Sequence, residues 1–159
     1  MGYGAMRLAG RNILGPPPDV EAAADVLRRA IDLGVNLIDT ADAYGPGHNE
    51  ELIAQVLSPY PEGLVIATKG GLVRSPDGAW TANGRPDHLR RACEDSLRRL
   101  RLETIDLDQL HRPDPEVPLE ESVGLLRDLQ DEGKVRLIGV SNVDLRQLTL
   151  ASDVADIAS

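Results

Sequence analysis

Phenylalanine is absent from this 159-residue chain, and Trp80, Tyr3, Tyr44 and Tyr60 are its only aromatic residues. Aliphatic side chains must therefore fill the core, and surfaces for stacking nucleobases are poorly supplied. Cysteine occurs once, at Cys93, which excludes an intramolecular disulfide and leaves too few thiolates for a cysteine zinc site. No window approaches the roughly 20 apolar residues of a membrane helix, and the amino terminus lacks the basic-then-apolar pattern of an export signal. Together with the single thiol, this predicts a cytoplasmic protein with no membrane partner. Positive charge is in deficit: 17 Lys and Arg stand against 26 Asp and Glu, a formal charge of −9, so the overall field repels nucleic acid.

At 42% hydrophobic the chain can bury an ordinary core, and its length predicts a single domain over residues 1–159. Val20, Ala23, Val26, Leu27, Ala30 and Ile31 recur at helical spacing between PPPD and Gly34, which predicts a first helix. NLIDTA, too short for a second helix before the turn-rich YGPGHN, reads as a buried parallel strand. Asn49 is the expected cap of a second helix, with Glu50 and Glu51 near its positive end and Pro59 and Pro61 beyond it. LVIATKGG is a clear strand, and Arg74 to Arg85 is expected to form a long exposed loop, the kind of segment that selects substrate. Pro86 suits the first turn of a third helix whose inner face carries Leu89, Ala92, Cys93, Ser96, Leu97 and Leu100. IDLDQLH then reads as a strand, Leu119 to Asp131 as a helix, VRLIGVSN as a strand, and the residues from Asp144 as a fifth helix. Met1 to Met6 supplies a weaker first strand. This alternation of strand and helix predicts an α/β protein: a partial (β/α)8 TIM barrel of about five parallel units, where a closed barrel has eight and takes about 250 residues.

Asp39, Tyr44, Lys69 and His111 each lie at or just beyond the end of one of these apolar runs, which places a carboxylate, a phenol, an ammonium and an imidazole at one rim of the sheet. Such a set is suited to proton transfer. Taken singly, Asp39 and Lys69 also read as a structural ion pair, Tyr44 as turn packing beside Gly45 and Pro46, and His111 as a strand-end residue bonded to backbone. Ser141 and Asn142, at the end of the fifth strand, suit a helix cap. Trp80 would line a pocket or anchor its loop. His48 and His88 read as surface residues without metal-ligand spacing, Cys93 as a packed thiol, and Arg98, Arg99 and Arg101 as a solvated helix end. Gly2 and Gly4 do not complete a dinucleotide fingerprint.

The ordered segments GVNLIDTADAYG, ATKGG, SLRRLRLETIDLDQLHRPD and GKVRLIGVSN resemble the aldo-keto reductase family, from about Gly2 to Leu148. The resemblance implies a (β/α)8 barrel that reduces a small aldehyde or ketone with a nicotinamide cofactor, NADP(H) or NAD(H). It implies that Asp39, Tyr44, Lys69 and His111 form the catalytic tetrad, and that Ser141 and Asn142 hydrogen-bond the nicotinamide carboxamide. Tyr44 would be the proton donor, favoured toward phenolate by up to ~4 kcal/mol if a lysine ammonium lies about 4 Å away. Asp39 would orient Lys69, and His111 would place the substrate oxygen. Because the family's last three strands carry most contacts to the adenosine end, the cofactor site is expected to be incomplete within these residues. An open five-stranded sheet also predicts bare first and fifth strands, covered by a further segment or by a second copy pairing as a homodimer. A cofactor-independent isomerase, dehydratase or cyclase using Tyr44, Lys69 and His111, and a non-catalytic binding or regulatory module, are the competing readings.

Overall fold

The computed structural model describes residues 1–75 and 77–159. Five short strands, β1 (Gly2–Gly4), β2 (Leu37–Asp39), β3 (Val65–Gly70), β6 (Ile105–Leu110) and β7 (Val135–Val140), pair in that order, each parallel to its neighbour. Between them run α1 (Val20–Asp32), α2 (His48–Leu57), α3 (Pro86–Leu100) and α4 (Leu119–Asp131), with α5 (Leu145–Val154) after β7. Successive helices touch one another, α1 to α2, α2 to α3, α3 to α4 and α4 to α5, so they form one layer over one face of the sheet. The result is the expected α/β architecture, part of a (β/α)8 barrel.

Side chains alternate across a strand, and the register sorts them into two sets. Ile38, Ile66 and Ile138, all essentially inaccessible, face the helices: the first two pack with Leu27, Leu52, Ile53, Leu57 and Leu100, the third with Leu126, Leu129 and Val123. The opposite face carries Asp39 level with Ala67, Leu107 and Leu137, and above them Lys69 level with Gln109 and Gly139. Asp39 and Lys69 thus project from the concave side at the carboxyl ends of β2 and β3. In α1, Ala23, Ala24, Leu27 and Ala30 are buried while Val20 and Val26 are exposed, so the inner stripe is narrower than the apolar spacing predicts.

Three expectations are corrected. α2 begins one residue before Asn49, capped by Gly47 in a left-handed conformation (φ 84°), and Asn49 is fully buried rather than capping. Most residues need an energetic concession to reach that φ, which favours glycine here, and a Cβ on Gly47 would lie 2.8 Å from Arg99 Cδ, so the Arg99 side chain would have to shift. Arg74 to Arg85 is not wholly irregular: β4 (Leu72–Arg74) and β5 (Trp80–Ala82) pair as an antiparallel hairpin outside the main sheet, while position 76 of that segment lies outside the described residues. Finally, the outer edge of β7 is not bare. Ile157 bridges Ile138, Ala158 N–H donates to Ile138 O at 2.9 Å, and Val140 N–H donates to Ser159 O at 2.8 Å. No helix among the described residues is long and apolar enough to cross a membrane.

Candidate active site

The strand ends and the turn before α2 bring Asp39, Tyr44, Lys69 and His111 together. Lys69 Nζ donates to Asp39 Oδ1 at 2.5 Å and to the Thr40 carbonyl at 2.9 Å, which fixes the ammonium with two acceptors. Nζ lies 5.4 Å from the centroid of the Tyr44 ring. The Tyr44 and His111 rings meet edge to face, with centroids 5.7 Å apart and planes at 85°. Trp80, on β5, continues the row: its ring centroid is 6.5 Å from that of His111, and the Arg74 guanidinium stacks 3.7 Å over the indole. Tyr44, Lys69 and His111 are each only 7% exposed, so water competes weakly for their polar atoms.

Tyr44 owes its position to the turn that precedes α2. Asn49 N–H donates to the Tyr44 carbonyl, Gly47 N–H to the Asp42 carbonyl at 2.8 Å, and Gly45 N–H to the Ile13 carbonyl at 3.1 Å. Gly45 has φ 64°, and a Cβ there would lie 2.6 Å from the Gly15 carbonyl oxygen, so the chain passes too close for any side chain.

Electrostatics at the phenol run opposite to the sequence expectation. Burial, followed by the charges of Asp39 and Asp42, pushes Tyr44 up to about 12 rather than down toward phenolate. Burial is the larger cause, and geometry adds to it: Lys69 is held against Asp39, so the phenol meets an ion pair together with the carboxylate of Asp42 instead of an isolated ammonium. Tyr44 is therefore a neutral O–H at ordinary pH. His111 is pulled down to about 4, by burial first and by Lys69 next, with Asp39 opposing and Arg112 adding a little. Its imidazole is neutral, offering one donor and one acceptor. The backbone of His111 is bonded on both sides, N–H to Gly70 O and carbonyl to Asn142 Nδ2, but ring Nδ1 is buried with no partner among the described residues.

Ser141 and Asn142 do not cap α5. Asp144 does, accepting from Gln147 N–H at 2.8 Å while the Gln147 side chain accepts from Asp144 N–H. Asn142 adopts a positive φ of 58° and turns its Nδ2 to the His111 carbonyl at 3.0 Å and to Ser141 Oγ at 3.1 Å. With both amide hydrogens engaged, the amide oxygen and the Ser141 hydroxyl hydrogen are left over, an acceptor and a donor side by side next to His111.

A second polar layer, on the helix side of the sheet, went unread in the sequence. Thr40 Oγ1 donates to Asn49 Oδ1 at 2.7 Å, and Asn49 Nδ2 donates to Ala5 O at 2.8 Å. Thr68 Oγ1 donates to Glu50 Oε1 at 2.6 Å, and Arg99 Nε donates to Glu50 Oε2 at 2.6 Å. Glu50 is fully buried, so Arg99 is an interior counter-ion rather than part of a solvated helix end; Arg98, by contrast, is exposed and pairs with Asp95. Asp108 belongs to the same layer, with its carboxyl raised to about 7 by burial and by Glu50. Asp42 is raised well above the carboxylate range by burial, Glu50 and Asp108, against a lowering by Arg99. Cys93 is buried against Asp108 and its thiol is pushed up by burial, as suits packing rather than nucleophilic chemistry. His48 is exposed beside Glu51, whereas His88 is half-buried with Nε2 unpartnered among the described residues. Among those residues no group of three or more His, Cys, Asp or Glu is arranged to hold a metal ion. The signal available in the sequence was the threonine beside each rim residue, Thr40 after Asp39 and Thr68 before Lys69, which alternation turns toward α2.

A family model described as the aldo/keto reductase family matches residues 1–159. Pyridoxine 4-dehydrogenase of Escherichia coli is 42% identical over 164 residues, an alignment that takes in 99% of this chain and 57% of that protein. Among solved structures, glycerol dehydrogenase of Gluconobacter oxydans superimposes with a TM-score of 0.89 at 39% identity, over 99% of this chain and 49% of that one. An aldo/keto reductase of Klebsiella pneumoniae, solved in complex with NADP and acetate, matches with a TM-score of 0.75 at 31% identity, over 98% of this chain and 50% of that one. The chain spans about half the length of the relatives it matches.

Proposed function

The chain belongs to the aldo/keto reductase family, and from that premise we propose that it carries the proton-transfer side of a nicotinamide-dependent carbonyl reductase, with Tyr44 as the acid. The observation that carries this reading is the neutral Tyr44 phenol held between the Lys69–Asp39 pair and a neutral His111. Reduction of a carbonyl builds negative charge on its oxygen, and a donor placed there lowers the barrier. Tyr44 O–H donates to that oxygen and transfers its proton as the C–O bond becomes single. The ammonium of Lys69, which Asp39 keeps from turning to solvent, lies beside the phenolate left behind, with Asp39 offsetting part of its field. His111, uncharged, hydrogen-bonds the same oxygen without competing for the proton.

The reduced nicotinamide, when bound, supplies the hydride to the carbonyl carbon. Ser141 and Asn142 fit its carboxamide, because the amide needs one donor and one acceptor and these side chains retain one of each. The Klebsiella relative solved with NADP supports the phosphorylated cofactor, and the dehydrogenase names of the other two relatives support alcohol and carbonyl interconversion.

The test is reduction of 4-nitrobenzaldehyde by the protein in its native assembly, followed by loss of reduced-nicotinamide absorbance. Tyr44→Phe should lower kcat by roughly 10²–10⁴-fold. A Phe variant with full turnover, or turnover of a substrate that proceeds equally well without nicotinamide, would end this reading.

A further inference from the structure

Beyond His111 the concave rim opens into a cavity of about 870 Å³ whose walls include Trp80, Arg85, Arg112, Asp114 and Glu116. Two segments far apart in sequence are tied together to build it. Asp114 Oδ2 accepts from Gly84 N–H at 2.9 Å, and Ser122 Oγ donates to Gly84 O at 2.7 Å. A Cβ on Gly84 would lie 2.7 Å from Ser122 Oγ, so glycine lets the residues before α3 press onto the turn after β6. The walls stand ready before any ligand arrives.

The chain is strongly acidic overall, yet this cavity carries two guanidinium groups, Arg85 and Arg112, against two carboxylates, Asp114 and Glu116. Neither Arg85 nor Arg112 is paired with a carboxylate among the described residues. Asp114 and Glu116 are the opposing charges, and Asp114 has both carboxylate oxygens held by backbone, Oδ2 accepting from Gly84 N–H and Oδ1 from Glu116 N–H at 2.9 Å, so it is not free to turn toward either guanidinium. Arg112 directly follows His111, and its charge is felt at the imidazole. Trp80 joins the cavity to the rim, because its ring is 6.5 Å from His111 and its orientation is set by Arg74. A ligand with its carbonyl at Tyr44 and His111 would lay its body along the indole and bring its far end to the two guanidinium groups.

We propose that Arg85 and Arg112 select an anionic carbonyl compound, one bearing a carboxylate or a phosphate at the end remote from the reacting carbonyl. This rests on the reductase reading for the position of the carbonyl, but the anion site can be tested without turnover. The planar guanidinium donates two parallel hydrogen bonds to either group, which favours arginine over lysine for the purpose.

The probes are 4-formylbenzoate, 4-formylphenyl phosphate and the neutral methyl 4-formylbenzoate, titrated by calorimetry into the protein in its native assembly. Emission from Trp80, the single tryptophan, reports whether the probe occupies this cavity. The anions should bind about tenfold or more tightly than the ester, in keeping with charge-assisted hydrogen bonds, and the preference should shrink with added salt. The carboxylate and phosphate arms, compared with each other, identify the preferred anion. Arg85→Gln and Arg112→Gln together should bring the ratio of ester to anion Kd close to one, while Glu116→Gln should increase it. Equal binding of ester and anions, or a ratio that survives the double substitution in a variant with unchanged circular dichroism, overturns the proposal. If the anions bind as described but no aldehyde is reduced, the reductase reading fails and the anion site stands. If ester and anions are reduced with equal KM, the reverse holds.

Discussion

Substituting Asp39 by asparagine should lower the pKa of Tyr44, although Asp39 is the partner of the ammonium of Lys69. In the parent protein Lys69 Nζ sits 2.5 Å from Asp39 Oδ1, and Asp39 itself helps to hold Tyr44 up at about 12. Asparagine keeps an oxygen acceptor for Nζ but removes the charge, so the ammonium 5.4 Å from the phenol ring acts without a counter-ion. At an effective dielectric near 20 a unit charge at that distance is worth about 3 kcal/mol, close to a hundredfold in an acid constant. That is an upper bound, because burial is the largest cause of the raised value and is left in place; Tyr44 should fall below about 12 yet stay above its ordinary value near 10. The assay is a pH titration of protein labelled with [¹³Cζ]tyrosine, in which the Tyr44 resonance is assigned by its loss in Tyr44→Phe. Tyr3 and Tyr60, both raised by burial, serve as internal standards that the substitution should leave in place. A Tyr44 midpoint that stays at its parent value, or rises, would refute the claim that the ion pair masks the lysine.

Asp108, fully buried with its carboxyl at about 7, lies above its unfolded value of about 3.9, so between those values the folded chain holds a proton that the unfolded chain has released. Stability is thus greatest at the acid end of that window and is lost as pH rises through 7. Asp108→Asn should gain on the parent protein by up to about 4 kcal/mol as pH rises from about 4 to about 7 in urea denaturation, with a residual slope from Asp42; a gap independent of pH would contradict this. Arg99→Met strands the buried charge of Glu50 and should cost roughly 3–5 kcal/mol, much of it recovered in the double variant with Glu50→Gln; additive losses in that cycle would show that the pair is not coupled.

The fold was legible because each short strand is an apolar run bounded by an amphipathic helix, and the two periods differ. α3 at Pro86–Leu100 and α4 at Leu119–Asp131 have the bounds that proline, glycine and apolar spacing mark out. The hairpin of β4 and β5 is not legible in the sequence because LVR and WTA, at three residues each, are too short to establish alternation. GHNEEL reads locally as a solvated helix start, and only the arrival of Thr40, Thr68 and Arg99 from distant parts of the chain makes Asn49 and Glu50 interior residues. The meeting of the four rim residues could be foreseen from strand ends, but the charge state of Tyr44 could not. It depends first on how deeply the phenol is buried and then on where the charges of Asp39 and Asp42 lie, which no spacing encodes.

The concave site and the polar layer behind it depend on the same turn. Thr40 and Thr68 are the chain neighbours of Asp39 and Lys69, and by alternation they face the helices while Asp39 and Lys69 face the concave side. Each threonine is hydrogen-bonded to the first turn of α2, through Asn49 and Glu50, and that turn also accepts the segment bearing Tyr44, whose carbonyl bonds Asn49 N–H. One helical turn therefore fixes two strand ends and the phenol together, so the 5.4 Å between Lys69 Nζ and the Tyr44 ring is set from behind, before any substrate binds. A donor that need not reorganise as charge develops is the more effective for it. The cost is a carboxylate without access to water, whose charge Arg99 from α3 compensates while Thr68 satisfies its other oxygen. Burying Glu50 and Asp108 close together is accordingly part of how the rim is held, and α3 contributes to the site although none of its residues belongs to the rim.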